Sequence, residues 1–131
     1  MRFTRILMAG FIGFTIDMFL STLVFAAGNT MFGIDDPARI QLTFEHPEQL
    51  LILVVLPMLM TLIGGAVAGF MAPLDAQAAG ALVGGLGLMM MALEGIDPNA
   101  PYTLVFIIAQ CVATVLAALV ATQVARRRTR V

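Results

Sequence analysis

The amino-acid sequence predicts an all-α, polytopic membrane protein: a four-transmembrane-helix bundle forming one domain over residues 1–131, with its N- and C-termini cytoplasmic. Three observations carry that expectation. The chain is 60% hydrophobic and only 11% charged, with a mean hydropathy of +0.99, whereas a soluble domain is about 45–50% apolar with glycine included and about 25% charged. Its apolar residues fall into four runs, each near the roughly 20 residues that cross about 30 Å of hydrocarbon. All seven basic residues are arginine, and six of them (Arg2, Arg5, Arg126, Arg127, Arg128 and Arg130) lie at the chain ends.

The first span is expected over residues 6–27, with one charge inside it, Asp17. A basic start followed by an apolar run and Val24-Phe25-Ala26 also fits a secretory signal. A charge in the middle of the apolar region is foreign to such signals, so the segment is read as a retained span. Arginine is enriched in cytoplasmic flanks. Arg2 and Arg5 therefore place the N-terminus inside, and after an even number of spans the tail over 126–131 is inside too.

Residues 28–49 then form an outer loop with Asp35, Asp36, Glu45, His46 and Glu48 against Arg39 alone. Pro37 and Pro47 bracket Ala38, Ile40, Leu42 and Phe44, an alternation that fits a short strand or a segment hugging the interface. His46 is the single histidine, and a metal site built on it would need Glu45, Glu48 or a partner subunit; the simpler reading is a solvated loop residue.

The second span, over 50–72, carries no charge. Pro57 lies in its outer third, where the missing N–H frees the carbonyl of Leu53 and favours a kink. The Pro73-Leu74-Asp75 turn is short enough to make the second and third helices antiparallel neighbours. The third span, over 76–93, reaches about 27 Å and ends beside Glu94, a boundary residue. Asp97 and Asn99, next to Pro98 and Pro101, are turn formers. The fourth span, over 102–125, stops at the arginine run.

Lipid supplies no hydrophobic force between helices, so association rests on the close packing that small residues permit. The second span carries Gly65-x-x-x-Gly69 beside Gly64-x-x-x-Ala68-x-x-x-Ala72, and the third carries Gly80-x-x-x-Gly84 with Gly87 a turn on. The fourth presents Ala109, Ala113, Ala117, Ala121 and Ala125 at spacing four, along an i±4 ridge. Gly65, Gly69, Gly80, Gly84, Ala113 and Ala117 are the expected packing residues. Placed at their depths, the small residues gather in the cytoplasmic half. Bulky residues such as Phe19, Met89 and Phe106 occupy the outer half, which is expected to be looser.

An ionisable side chain at mid-bilayer costs at least about 2.5–3.5 kcal/mol on insertion scales, so Asp17 requires a partner or a function. Counted from Ile6 it lies about 16 Å from the inner boundary; Thr61 lies about 16 Å and Gln110 about 12 Å from the outer one. Asp17, Thr61 and Gln110 thus share a level, with Thr15 and Thr114 close by. That level is expected to be a clasp fixing helix register, a proton- or cation-linked site, or a contact with a partner subunit.

Enzymatic chemistry is not expected. The sequence has no Gly-rich loop after a strand, no paired histidines, no CxxC and no GxSxG, and it implies no cofactor and no nucleic-acid partner. Cys111 reads as a small apolar filler. The ten methionines, above all Met58-x-Met60 and Met89-Met90-Met91, suggest a path for soft metal. Consecutive methionines point in three directions, however, and such sites need convergent ligands, so they are read as packing.

Asp17 in a first span is similar to the small multidrug transporters, and the overall size resembles both that family and the fluoride channels. The aromatic setting of the former and the asparagine-bearing span of the latter are missing, since Asn29 and Asn99 both fall in loops; the chain is assigned to neither. The expected function is an accessory or structural subunit of a homo- or hetero-oligomeric complex in a bacterial or archaeal cytoplasmic membrane, partnered by lipid and by itself or other membrane subunits. The competing expectation is a small proton- or ion-linked transporter or channel using Asp17.

Overall fold

The computed structural model describes residues 2–32, 54–94 and 103–130. They form helix α1 (Arg2–Phe32), helix α2 (Leu56–Met71), a 3-10 turn (Pro73–Asp75), helix α3 (Ala76–Glu94) and helix α4 (Thr103–Arg130), with no strand among the described residues. Among the described residues three stretches are long and apolar enough to cross a membrane: Arg2–Val24, Pro73–Leu93 and Val105–Thr129. Helix α2, at 16 residues, reaches only about 24 Å. The expected beginning of that span, the alternating segment of the outer loop, His46 and the Asp97–Asn99 turn lie outside the described residues.

The helix boundaries follow from local chemistry. No proline precedes Pro37, and α1 runs past the expected 6–27 to Phe32. Pro57 sits in the first turn of α2, just after Val54 and Val55 adopt a wider π-type turn; Leu53, whose carbonyl it was expected to free, lies outside the described residues. In a first turn the missing N–H deprives no intrahelical acceptor, so the proline starts the regular helix. At the other end Ala72 leaves helical geometry (φ −126°, ψ 68°) while its N–H still donates to Ala68 O. Pro73 then opens the turn to α3. Helix α4 continues through Arg126, Arg127 and Arg128 to Arg130, past the expected span over 102–125 and into the tail.

The direction of each helix can be read from its contacts. Asp17 meets Thr61 and Gly13 meets Gly64, so α1 and α2 are antiparallel; Gly65 meets Ala117 and Gly69 meets Ala121, so α2 and α4 run the same way. Gly80 meets Ala117 and Ala121, Gly84 meets Thr114, and Gly87 meets Gln110, which makes α3 antiparallel to α4. The start of α1, the turn between α2 and α3, and the close of α4 therefore share one end, called the arginine end below. Helices α2 and α3 each pack against every other helix, with α1 on one side of the pair and α4 on the other.

The interior is built of small residues. Ala68, Ala72, Ala79, Ala113, Ala117 and Ala121 are fully buried, and Val83 is the largest side chain with no exposure. The large apolar residues point the other way: Phe3, Phe11, Phe19, Phe70, Val115 and Leu119 are each more than half exposed. In water that arrangement would be inside out. In a bilayer it is the expected one, because lipid covers the bulky faces while small faces let backbones approach.

Candidate functional site

Asp17 sits in the middle of α1 and is 4% exposed. Its two carboxyl oxygens are both engaged. Ser21 Oγ, one turn along the same helix, donates to Oδ1 at 3.0 Å, and Thr61 Oγ1, across on α2, donates to Oδ2 at 3.0 Å. Thr61 Oγ1 also lies 3.2 Å from Pro57 O. A hydroxyl has one hydrogen and two acceptor sites, so the same geometry serves two protonation states. Charged Asp17 accepts from Thr61; neutral Asp17 donates to Thr61, which turns its hydrogen toward Pro57 O.

These groups line a cavity of about 410 Å³ between all four helices. Helix α1 contributes Asp17, Met18, Ser21 and Thr22; the α2 side contributes Val54, Pro57, Met58 and Thr61; α3 contributes Gly87, Met90 and Met91; and α4 contributes Phe106, Ala109 and Gln110. The α1 and α2 walls thus mix carboxyl and hydroxyl groups with thioethers, α3 adds two more thioethers, and α4 adds a phenyl ring and an amide.

Of the residues expected at one level, Asp17 and Thr61 are bonded to each other, while Gln110 lines the cavity without reaching them. Its Nε2 donates instead to Gly84 O at 3.2 Å, in room left by Gly87, where an added Cβ would stand 3.2 Å from Gln110 Cδ. Thr15 is exposed and donates back to Phe11 O at 2.8 Å. Thr114 donates back to Gln110 O at 2.8 Å and packs on Gly84. Neither joins the carboxyl. Ser21 does, and the sequence signal for it was its position four residues after Asp17, one turn along the same helix face.

The arginine end is held by different means. Arg2 Nε donates to Asp75 Oδ1 in an ion pair whose carboxylate side is 6% exposed and whose arginine side is 80% exposed. Arg128 Nη1 donates to Phe70 O, and its guanidinium carbon lies 4.5 Å from the Phe70 ring centroid. Asp75 is therefore more than a turn former: it ties the start of α1 to the turn between α2 and α3. No group of three or more His, Cys, Asp or Glu able to hold a metal occurs among the described residues.

Fold and site together define a class: a small helical protein suited to a membrane, in which the buried carboxyl of Asp17 lines a chamber among the helices. No protein-family model, curated protein or solved structure matches the chain. Its function must therefore be argued from the chamber itself.

Proposed function

We propose that the chain is a small cation- or proton-linked transporter or channel, with Asp17 as the group that takes the ion and Thr61 as its hydrogen-bonding partner. The observation that carries this reading is that Asp17, whose Cβ packs beside Gly64 at the edge of the small-residue seam, also lines a chamber. A clasp serving only helix register would gain nothing from a cavity beside it. An ion-binding group needs one, and an intramembrane acid is kept, against its insertion cost, where ions or protons pass. The positive-inside rule supports placing the arginine end in the cytoplasm of a bacterial or archaeal cell, with the chamber reached from the other side.

Reconstituted vesicles provide the test. Asp17→Asn keeps the shape and one acceptor but cannot carry a charge, so it is expected to abolish cation- or proton-linked flux while the protein elutes as the wild type does. Unchanged flux would remove the reading.

The accessory-subunit reading is favoured by a different observation, the bulky apolar residues that all four helices turn outward. These faces can meet other membrane subunits as well as lipid. Purification in mild detergent then yields a stoichiometric partner or a defined oligomer, whereas a monodisperse monomer counts against it.

A further inference from the structure

We infer that the cation taken by the chamber is a soft monovalent metal ion, Cu(I) or its redox-inert analogue Ag(I), held by the thioethers of Met18, Met58, Met90 and Met91 beside Asp17. This deepens the cation-binding reading and rests on it for the role of Asp17. Three consecutive methionines on one helix point in three directions and cannot form a site alone, but here three helices supply thioethers: Met18 from α1, Met58 from α2, and two neighbours, Met90 and Met91, from α3, all on the wall of one cavity. Met89, beside them in sequence, is 52% exposed.

The chamber's hydroxyls and amide are held in place by their own hydrogen bonds. Ser21 and Thr61 donate to Asp17, Thr22 donates to Met18 O at 2.7 Å, and the Gln110 amide donates to Gly84 O. Four thioethers line the same walls. Thioethers are neutral, weak acceptors with three rotatable bonds, and soft sulfur selects Cu(I). Neutral ligands leave the ion its full positive charge, which is costly in a medium of low dielectric unless an anion is near. Asp17 supplies that anion. Where it starts protonated, loading one ion releases one proton, and the net charge of the chamber is unchanged.

The probes are Ag(I) by calorimetric titration and Cu(I) in competition with a bathocuproine chelator under reductant, on the full chain in detergent. All variants carry Cys111→Ala, since that exposed thiol is itself a soft ligand. One equivalent is expected, with only sulfur scatterers around Cu(I) in X-ray absorption. Met58→Leu and Met90→Leu, which conserve volume, are each expected to weaken binding at least about tenfold, a loss seen even for outer-shell partners of metals. Met8→Leu and Met89→Leu, off the chamber, leave it unchanged. Equal affinity of the wild type and the chamber variants, or an all-oxygen shell, overturns the inference. Flux of another cation that depends on Asp17, with no Ag(I) or Cu(I) bound, sinks the soft-metal inference and leaves the transport reading standing. Sulfur-ligated binding without flux does the reverse.

Discussion

Between mid-depth and the arginine end, α2 meets α1 and α4 backbone to backbone, with an open groove lined by Thr4, Arg5, Met8, Ala9 and Met71 beside it; on the other side of those crossings the same helices part around a chamber. A Cβ added at Gly64 would lie 2.5 Å from Gly13 O, and one added at Gly69 would lie 2.6 Å from Ala121 Cα. Real side chains do not tolerate such distances, so only glycine permits these crossings. A turn further on, Asp17, Met58, Met90 and Phe106 are too large for such an approach, and the space between them stays open. The contrast teaches that in lipid the size of a side chain decides where helices close and where they leave room, because hydrophobicity is the same on every face.

The largest expected effect comes from forcing the closed end apart. Gly69→Val places three carbons where Ala121 backbone already stands, and overpacking of that kind costs about 1–3 kcal/mol or more. Thermal unfolding followed by far-UV circular dichroism in detergent should show a clear drop, with loss of the monodisperse peak; wild-type behaviour would mean that α2 and α4 do not meet there. At the chamber, Thr61→Val keeps the shape but leaves Asp17 Oδ2 without its donor, a loss of about 1–3 kcal/mol for a buried acceptor. Combined with Asp17→Asn in a double-mutant cycle, it should lose less than the sum of the single effects, since both act on one bond. Strict additivity would uncouple the pair.

Smaller effects separate the two ends further. Arg2→Ala removes an ion pair whose arginine is 80% exposed, so solvent screening keeps the expected loss below about 1 kcal/mol. Wild type in high salt should approach the variant in melting temperature. Gly85 has nothing within 4 Å of an added Cβ, so Gly85→Ala is expected to be neutral or to gain up to about 1 kcal/mol from helix propensity. A marked loss there would show a neighbour on that face and blunt the contrast with Gly69.

Much of the site was legible, but unevenly. The shared level of Asp17 and Thr61 follows from depth alone, since each lies about 16 Å from its own end of an antiparallel pair; their bond also needs both to face the α1–α2 contact. Gln110 shares that level, yet its amide turns to Gly84 O because Gly87 leaves room there. Thr15 shares it too and faces outward. That Met18, Met58, Met90 and Met91 line one cavity had no signal in the sequence, where the methionines read as ordinary packing, and the tie of Arg2 to Asp75 left none beyond a shared side of the expected membrane.

The reason is geometric. Composition determined that the chain is helical and suited to a membrane, and a fixed rise per residue determined how deep each polar group sits, since both are properties of one helix taken alone. Rotation about each helix axis is different. In a soluble protein an apolar stripe reports which side faces inward, but helices that are apolar all round carry no such mark. Only the packing of α2 and α3 against both flanking helices decided which residues line the chamber and which face lipid. That is why the carboxyl could be found by counting, whereas the thioethers around it could not.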